Sequence, residues 1–248
     1  MYTETEGIIL RQTKTVNGRR MVLLFSKKFG KISAGTSISE KGRSKAALAM
    51  RPFAYGRYEM FKNQDRFNIQ SGEMIKSYFK IGEVVEKFMG ASFVLELSDK
   101  LLEEGAPNPR YFQLLLDFFE VLETRECDCR TLILAFEMKA LQIFGVAPRL
   151  DGCAVCGKPA KSCLFSIEQG GLICENCMNN LPSKPNDSLI YELSFDIVDI
   201  LKYFMDHPLQ SFAKIALAEE KQVVVKSLLR EYLACHLDLG ILKSESYI

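Results

Sequence analysis

The stretch Arg20-Met21-Val22-Leu23-Leu24-Phe25-Ser26-Lys27-Lys28-Phe29-Gly30-Lys31-Ile32-Ser33-Ala34 decides the fold of the N-terminal third. Arg20–Phe25 is apolar and rich in strand formers, and Ser26-Lys27-Lys28 breaks it. Phe29–Ala34 resumes as a further strand. Upstream, Asn17-Gly18 separates Arg20–Phe25 from Thr13–Val16. Asn-Gly between such runs is a strong hairpin signal, because both residues tolerate the positive φ of a tight turn. Gly7-Ile8-Ile9-Leu10-Arg11 opens this β-rich region, and Phe53–Phe61 and Phe67–Phe79 supply two more strands. Five short strands in about 80 residues predict a small closed barrel in preference to a sandwich. Ser39–Ala46, polar and basic, is predicted as an exposed loop running into a short helix.

Beyond the strands the apolar period changes. Val84, Val85, Phe88 and Met89, then Phe93, Val94, Leu97 and Leu101, recur at spacings of three and four, as one face of a helix requires. Ala106-Pro107-Asn108-Pro109 breaks that pattern. Tyr111–Leu122 is apolar almost all round and reads as a buried helix. Thr131–Phe144 is another, stopped by Gly145 and Pro148. Helices are expected to resume at about 189–206, closed by Pro208, and at 219–239.

Between these helices lies the sharpest motif. Cys153-Ala154-Val155-Cys156 is followed, after 17 residues, by Cys174-Glu175-Asn176-Cys177. Each Cys-x-x-Cys places two thiolates on one tight turn, and a hairpin between them joins two such knuckles into a tetrahedral zinc site. Gly157 and Gly170-Gly171 flank the knuckles, where positive φ is often wanted. A dithiol redox pair and plain buried thiols are the competing readings; the presence of two pairs and the absence of a surrounding thioredoxin-like βαβ pattern count against redox. Four cysteine ligands leave no open coordination position, so the expected Zn²⁺ is structural.

The chain is therefore expected to be an α+β multidomain protein. Residues 1–80 form the small closed barrel. Residues 81–148 and 186–248 form an α-helical domain, interrupted at 149–185 by the four-cysteine finger. The 248 residues are 48% hydrophobic, which excludes a disordered chain. The longest stretch free of Asp, Glu, Lys and Arg is the nine-residue Ala140–Pro148, far short of the roughly 20 apolar residues of a membrane span. The N-terminus has no signal-peptide pattern, and eight cysteines are too few for a disulfide scaffold, so the expected compartment is the cytosol.

The net charge of +1 hides an asymmetry. Residues 1–80 carry 16 Lys+Arg against 6 Asp+Glu, and residues 81–248 carry 16 against 25. A basic segment on an acidic body points to a polyanion partner, with an ordinary solvated face as the alternative. The basic positions at expected turns and loops are Arg19, Arg20, Lys27, Lys28, Lys41, Arg43 and Lys45; Lys31 and Arg51 complete the candidate DNA-binding set. Arg11 and Arg57 are further cations, and Phe29, Tyr55 and Tyr58 are candidate stacking partners, although strand alternation would bury about half of such aromatics. Catalytic signatures are missing. There is no phosphate-binding Gly-rich loop, no nucleophile elbow and no His-Glu-x-x-His, so the chain is not expected to be an enzyme.

At this point the sequence resembles the RecO family of DNA repair proteins. The likeness rests on Glu6–Leu10, Ser26–Lys31, Gly42–Lys45 leading to Arg51-Pro52-Phe53, and above all Pro148–Gly157. Phe165-Ser166, Gly170-Gly171, Cys174–Cys177 and the ending His236–Ser244 complete it. Val16–Arg20 departs from the family, which often carries an acidic residue there. The resemblance implies an oligonucleotide/oligosaccharide-binding (OB) barrel, a helical domain and a zinc finger. It implies binding of single- and double-stranded DNA and annealing of complementary strands without nucleotide. It also implies partnership with RecR and with the acidic tail of single-strand binding protein, and help in loading RecA, at the nucleoid in a bacterial cytoplasm. Arg130 and Lys139, on a helix rich in Leu132, Ile133, Leu134 and Phe136, are candidates for that acidic tail. A zinc-ribbon RNA-binding or transcription-associated module, a nucleic-acid enzyme built from scattered carboxylates, and an adaptor for acidic proteins are the alternatives.

Overall fold

Alternation builds the first strands. In Ala54–Asn63 (β4), Ala54, Gly56, Tyr58 and Met60 face inward and Arg57, Glu59 and Phe61 face out, the period of two that a half-buried strand requires. The computed structural model describes residues 1–14, 20–38, 42, 44–64, 66–160, 164–181 and 189–247. Within it, Tyr2–Lys14 (β1), Arg20–Ser26 (β2), Gly30–Thr36 (β3), β4 and Arg66–Ser77 (β5) close into a barrel in the order β1-β2-β3-β5-β4. All neighbours are antiparallel except β3 and β5, which run parallel from Ala34↔Phe67 to Thr36↔Ile69. The Asn17-Gly18 turn lies outside the described residues.

β1 is long because it serves two neighbours. Tyr2–Ile8 pairs with β4, and Gly7–Lys14 pairs with β2. Where the two ladders overlap the strand must bend, and Gly7 sits there: a Cβ would stand 2.8 Å from Leu24 Cδ1 and 2.9 Å from the Phe25 carbonyl oxygen. The interior is filled by Ile9, Val22, Leu24, Ile32, Tyr58, Met60 and Ile69. Lys45–Ala49 (α1) plugs one end, capped by Ser44, whose Oγ accepts from the Ala47 N–H at 3.1 Å. Tyr58 donates its hydroxyl to the Ala49 carbonyl at 2.8 Å, which fixes that plug.

The chain divides into two compact units, Met1–Thr124 with Leu242–Ile248, and Arg125–Ile241. The division falls within the 81–148 stretch, and aromatic packing explains which helices join the barrel. Val85–Leu101 (α2) and Pro109–Thr124 (α3) follow a short 3-10 turn, Phe79–Glu83. Phe25 packs on Tyr111 and Phe112, Phe53 on Phe88 and Phe119, and Tyr78 on Phe119, with ring centroids 5.3–6.1 Å apart. Each such pair contributes about 0.5–1.5 kcal/mol beyond its buried area. The C-terminal turn Lys243–Tyr247 is held here by Glu96, which accepts from the backbone N–H groups of Lys243 and Ser244 and from the Ser244 hydroxyl.

In the second unit Arg130–Ile143 (α4) is buried from Thr131 to Met138 and at Ala140 and Leu141, the signature of a central helix. It packs on Phe195–Asp206 (α6) and Glu219–Leu237 (α7). Arg125, 2% exposed, ties its start to the loop before α7 by donating to the carbonyls of Asp128, Phe212 and Ile215. Leu164–Ser166 (β6) and Gly171–Leu172 (β7) precede Glu175–Asn179 (α5), and Ile190–Glu192 (β8) completes a small sheet in the order β7-β6-β8. The helix placed at about 189–206 starts only at Phe195, because Ile190–Glu192 is taken by β6 as a strand.

Candidate nucleic-acid interface and metal site

The metal site follows from two turns. In the first knuckle the Gly157 N–H donates to the Cys153 carbonyl at 2.9 Å, with Gly157 at φ 73°. That left-handed residue turns the chain back at the point where the sequence supplies glycine. Gly171 brings the second knuckle close: a Cβ there would stand 2.3 Å from the Arg149 carbonyl oxygen. The Ala154 N–H donates to the Leu172 carbonyl at 2.7 Å and so joins the two turns. As a result the Sγ atoms of Cys153, Cys156, Cys174 and Cys177 all lie within 4.8 Å of one another, and Cys156 and Cys174 are 3.9 Å apart. A tetrahedral tetrathiolate with metal–sulfur bonds of about 2.3 Å has sulfurs roughly 3.8 Å apart, so the donor set fits a metal ion such as zinc.

Electrostatics pull Cys153 and Cys177 in opposite directions. Burial opposes charge on Cys153, but backbone N–H groups of Cys156, Cys174 and Val155 outweigh it and bring the thiol down to about 6. The Cys174 N–H lies 3.4 Å from that sulfur. Cys177 is pushed up to about 12 by hydrogen bonds shared with Cys156 and Cys174. A divalent cation would displace the proton that Cys177 holds. Cys127, Cys129 and Cys235 stand outside the cluster, and Cys163 lies outside the described residues.

The barrel cations fall into three groups. Arg20, Lys27, Lys28, Lys45 and Arg51 are at the surface or partly exposed. Of these, Lys27 pairs with Glu6 at 3.2 Å and Lys45 with Glu73 at 4.0 Å, both exposed contacts of little strength. Arg19, Lys41 and Arg43 lie outside the described residues. Lys31, expected in the DNA-binding set, is 9% exposed, and its ammonium donates to the Asp99 carbonyl and faces the Asp99 carboxylate at 3.5 Å. The aromatics also separate. Tyr58 is a core residue, buried completely, and is corrected as a stacking candidate. Tyr55 is half-buried with its hydroxyl on Glu6. Phe29 remains partly exposed at the β2–β3 turn.

Sequence reasoning passed over Lys62 and Phe67. They are opposite each other across the β4–β5 hairpin. The signal was available, since both flank an expected turn, the same criterion that singled out Lys27 and Lys28. In the second unit, Arg130 and Lys139 have partners within the fold. Arg130 is bonded to Asp128 at 2.7 Å, and Lys139 donates to the Met205 carbonyl at 2.7 Å, at the C-terminal end of α6. Burial there holds the Lys139 ammonium below its ordinary pKa.

A five-stranded OB-type barrel, a helical region and a four-cysteine cluster together define a class: α+β multidomain proteins that join an oligonucleotide-binding type of fold to a metal-binding module. Comparison with known proteins narrows the class. Residues 1–78 match the family profile for Recombination protein O N terminal, and residues 83–246 match that for Recombination protein O C terminal. The chain belongs to the RecO family of DNA repair and recombination proteins. It is 28% identical to DNA repair protein RecO of Alkaliphilus metalliredigens, covering 96% of this chain and 95% of the relative. It is 34% identical to that of Bacillus pumilus, over 74% of this chain and 72% of the relative. Identity to the protein of Thermoanaerobacter sp. is 27%, over 99% and 96% respectively. Among the described residues no helix is long and apolar enough to cross a membrane.

Proposed function

We propose that this chain is a recombination mediator without catalytic activity that binds single- and double-stranded DNA through its barrel and anneals complementary strands. The observation that carries the reading is the coincidence of the family match with a closed OB-type barrel that holds 16 Lys+Arg against 6 Asp+Glu in residues 1–80. Barrels of this kind track a phosphate backbone with a positive groove and leave base edges free. Two DNA strands repel each other; a cationic surface lowers that cost by neutralising phosphates and releasing counterions. Arg19, Arg20, Lys27, Lys28, Lys41, Arg43, Lys45 and Arg51 are the cations assigned to this surface. Lys31 is left out because Asp99 already holds it.

The four cysteines hold one Zn²⁺, which cross-links the two knuckles and has no step in the reaction. Family membership supports RecR, the acidic tail of single-strand binding protein and, indirectly, RecA as partners, and a cytoplasmic, nucleoid-associated location. Arg130 and Lys139 contribute to the tail site only where their internal partners release them, so substituting them is expected to cost stability as well as affinity.

Annealing tests the proposal. Complementary strands coated with single-strand binding protein, without nucleotide, are expected to pair faster in the presence of the chain. The Lys27→Glu/Lys28→Glu/Lys41→Glu/Arg43→Glu variant is expected to lose that acceleration while keeping its fold. Full acceleration by the variant would place annealing elsewhere than on the barrel.

A further inference from the structure

The turn between β2 and β3 and the hairpin between β4 and β5 meet at a cleft of about 470 Å³, within the roughly 300–1,000 Å³ range of ligand sites. Its floor is aromatic. Phe29 and Phe67 stand with ring centroids 5.3 Å apart and planes at 50°. Both rings pack by one side on the barrel core. Their other sides are covered by cations. Lys62 Nζ lies 5.2 Å from the Phe67 centroid and 5.7 Å from that of Phe29, and Lys28 Nζ lies 5.2 Å from Phe29.

Charge makes this cleft selective. Lys28, Lys31 and Lys62 line it against one carboxylate, Glu104. Lys31 is held by Asp99, whereas neither Lys28 nor Lys62 is paired with a carboxylate among the described residues. An ammonium over an exposed ring face is a weak contact, so it yields readily to a stronger partner. A phosphate is such a partner for each ammonium, and a nucleobase is one for each vacated ring.

We propose that the Phe29–Phe67 pair is a base-stacking site, at which a base of a single strand displaces Lys62 from the rings and Lys62 and Lys28 turn onto the flanking phosphates. The proposal rests on the DNA-binding reading above and adds to it a contact with the base itself. A duplex keeps its bases stacked inside, so the site favours single strands.

Binding of two fluorescein-labelled oligonucleotides of equal length, oligo(dT) and its abasic counterpart, tests the site apart from the phosphate contacts. The Phe29→Leu/Phe67→Leu variant keeps apolar bulk against the core. It is expected to bind oligo(dT) about tenfold more weakly, since stacking contributes about 1–3 kcal/mol per base. Its affinity for the abasic strand is expected to be unchanged. The unaltered protein supplies a second measurement that needs no variant: 2-aminopurine within oligo(dT) should be quenched on binding. Equal affinity of variant and parent for oligo(dT), or unquenched 2-aminopurine, overturns the stacking site and leaves phosphate binding intact. Failure of the parent to bind either strand overturns the DNA reading and the site with it.

Discussion

Glu6 shows how one carboxylate organises the outer face of the barrel. Its carboxylate accepts from the Tyr55 hydroxyl at 2.5 Å and pairs with Lys27 at 3.2 Å and Arg57 at 3.8 Å. The Tyr55 hydrogen bond is the main cause that holds Glu6 below its ordinary carboxylate pKa. Tyr55 is raised to about 12 by burial and by Glu6 itself. A carboxylate lowered in the folded state stabilises the fold above its unfolded pKa, and that stabilisation is lost as pH falls through the folded value. Tyr55→Phe is therefore expected to be less stable than the parent by about 1 kcal/mol at neutral pH. The deficit should shrink towards zero in acid, as urea melts from neutral pH down through the carboxylate range would show. A pH-independent deficit would mean that Tyr55 acts by packing alone. None of this was legible in the sequence: Glu6 and Tyr55 are adjacent only because β1 and β4 pair in a particular register.

At the scale of elements, legibility followed locality. The β2–β3 hairpin, α3, α4 and the cysteine knuckles are specified by neighbours in sequence, and each appears where its residues place it. β8 falls within the stretch expected to be helical because three residues carry no period; their state is decided by β6, 24 or more residues away. The same limit applied to Lys31, whose alternation in a strand says nothing of Asp99 on α2. For the knuckles, the geometry predicts one bound metal per chain. Chelation is expected to lower the melting temperature, and Cys174→Ser to abolish stoichiometric binding, since ligand bonds supply folding energy where no preformed site exists in the unfolded chain. A melting temperature indifferent to chelator would reduce the four cysteines to packed thiols.

For the molecule as a whole, charge division is the feature that sequence arithmetic reached and net charge concealed. The positive excess of residues 1–80 coincides with the five strands that close the barrel, while the acidic excess lies in the helical remainder. Where the compact units divide was not legible, because aromatic contacts from Phe25, Phe53 and Tyr78 draw α2 and α3 to the barrel. The basic barrel surface is proposed to bind single-stranded DNA through its phosphates. The most direct measurement is the affinity of the full chain for a single-stranded oligonucleotide across a range of salt concentrations. Five phosphate contacts predict a log–log slope of roughly −3.5, and a shallower one after reversal of Lys27 and Lys28. A slope near zero, or one unchanged by that reversal, would contradict the account.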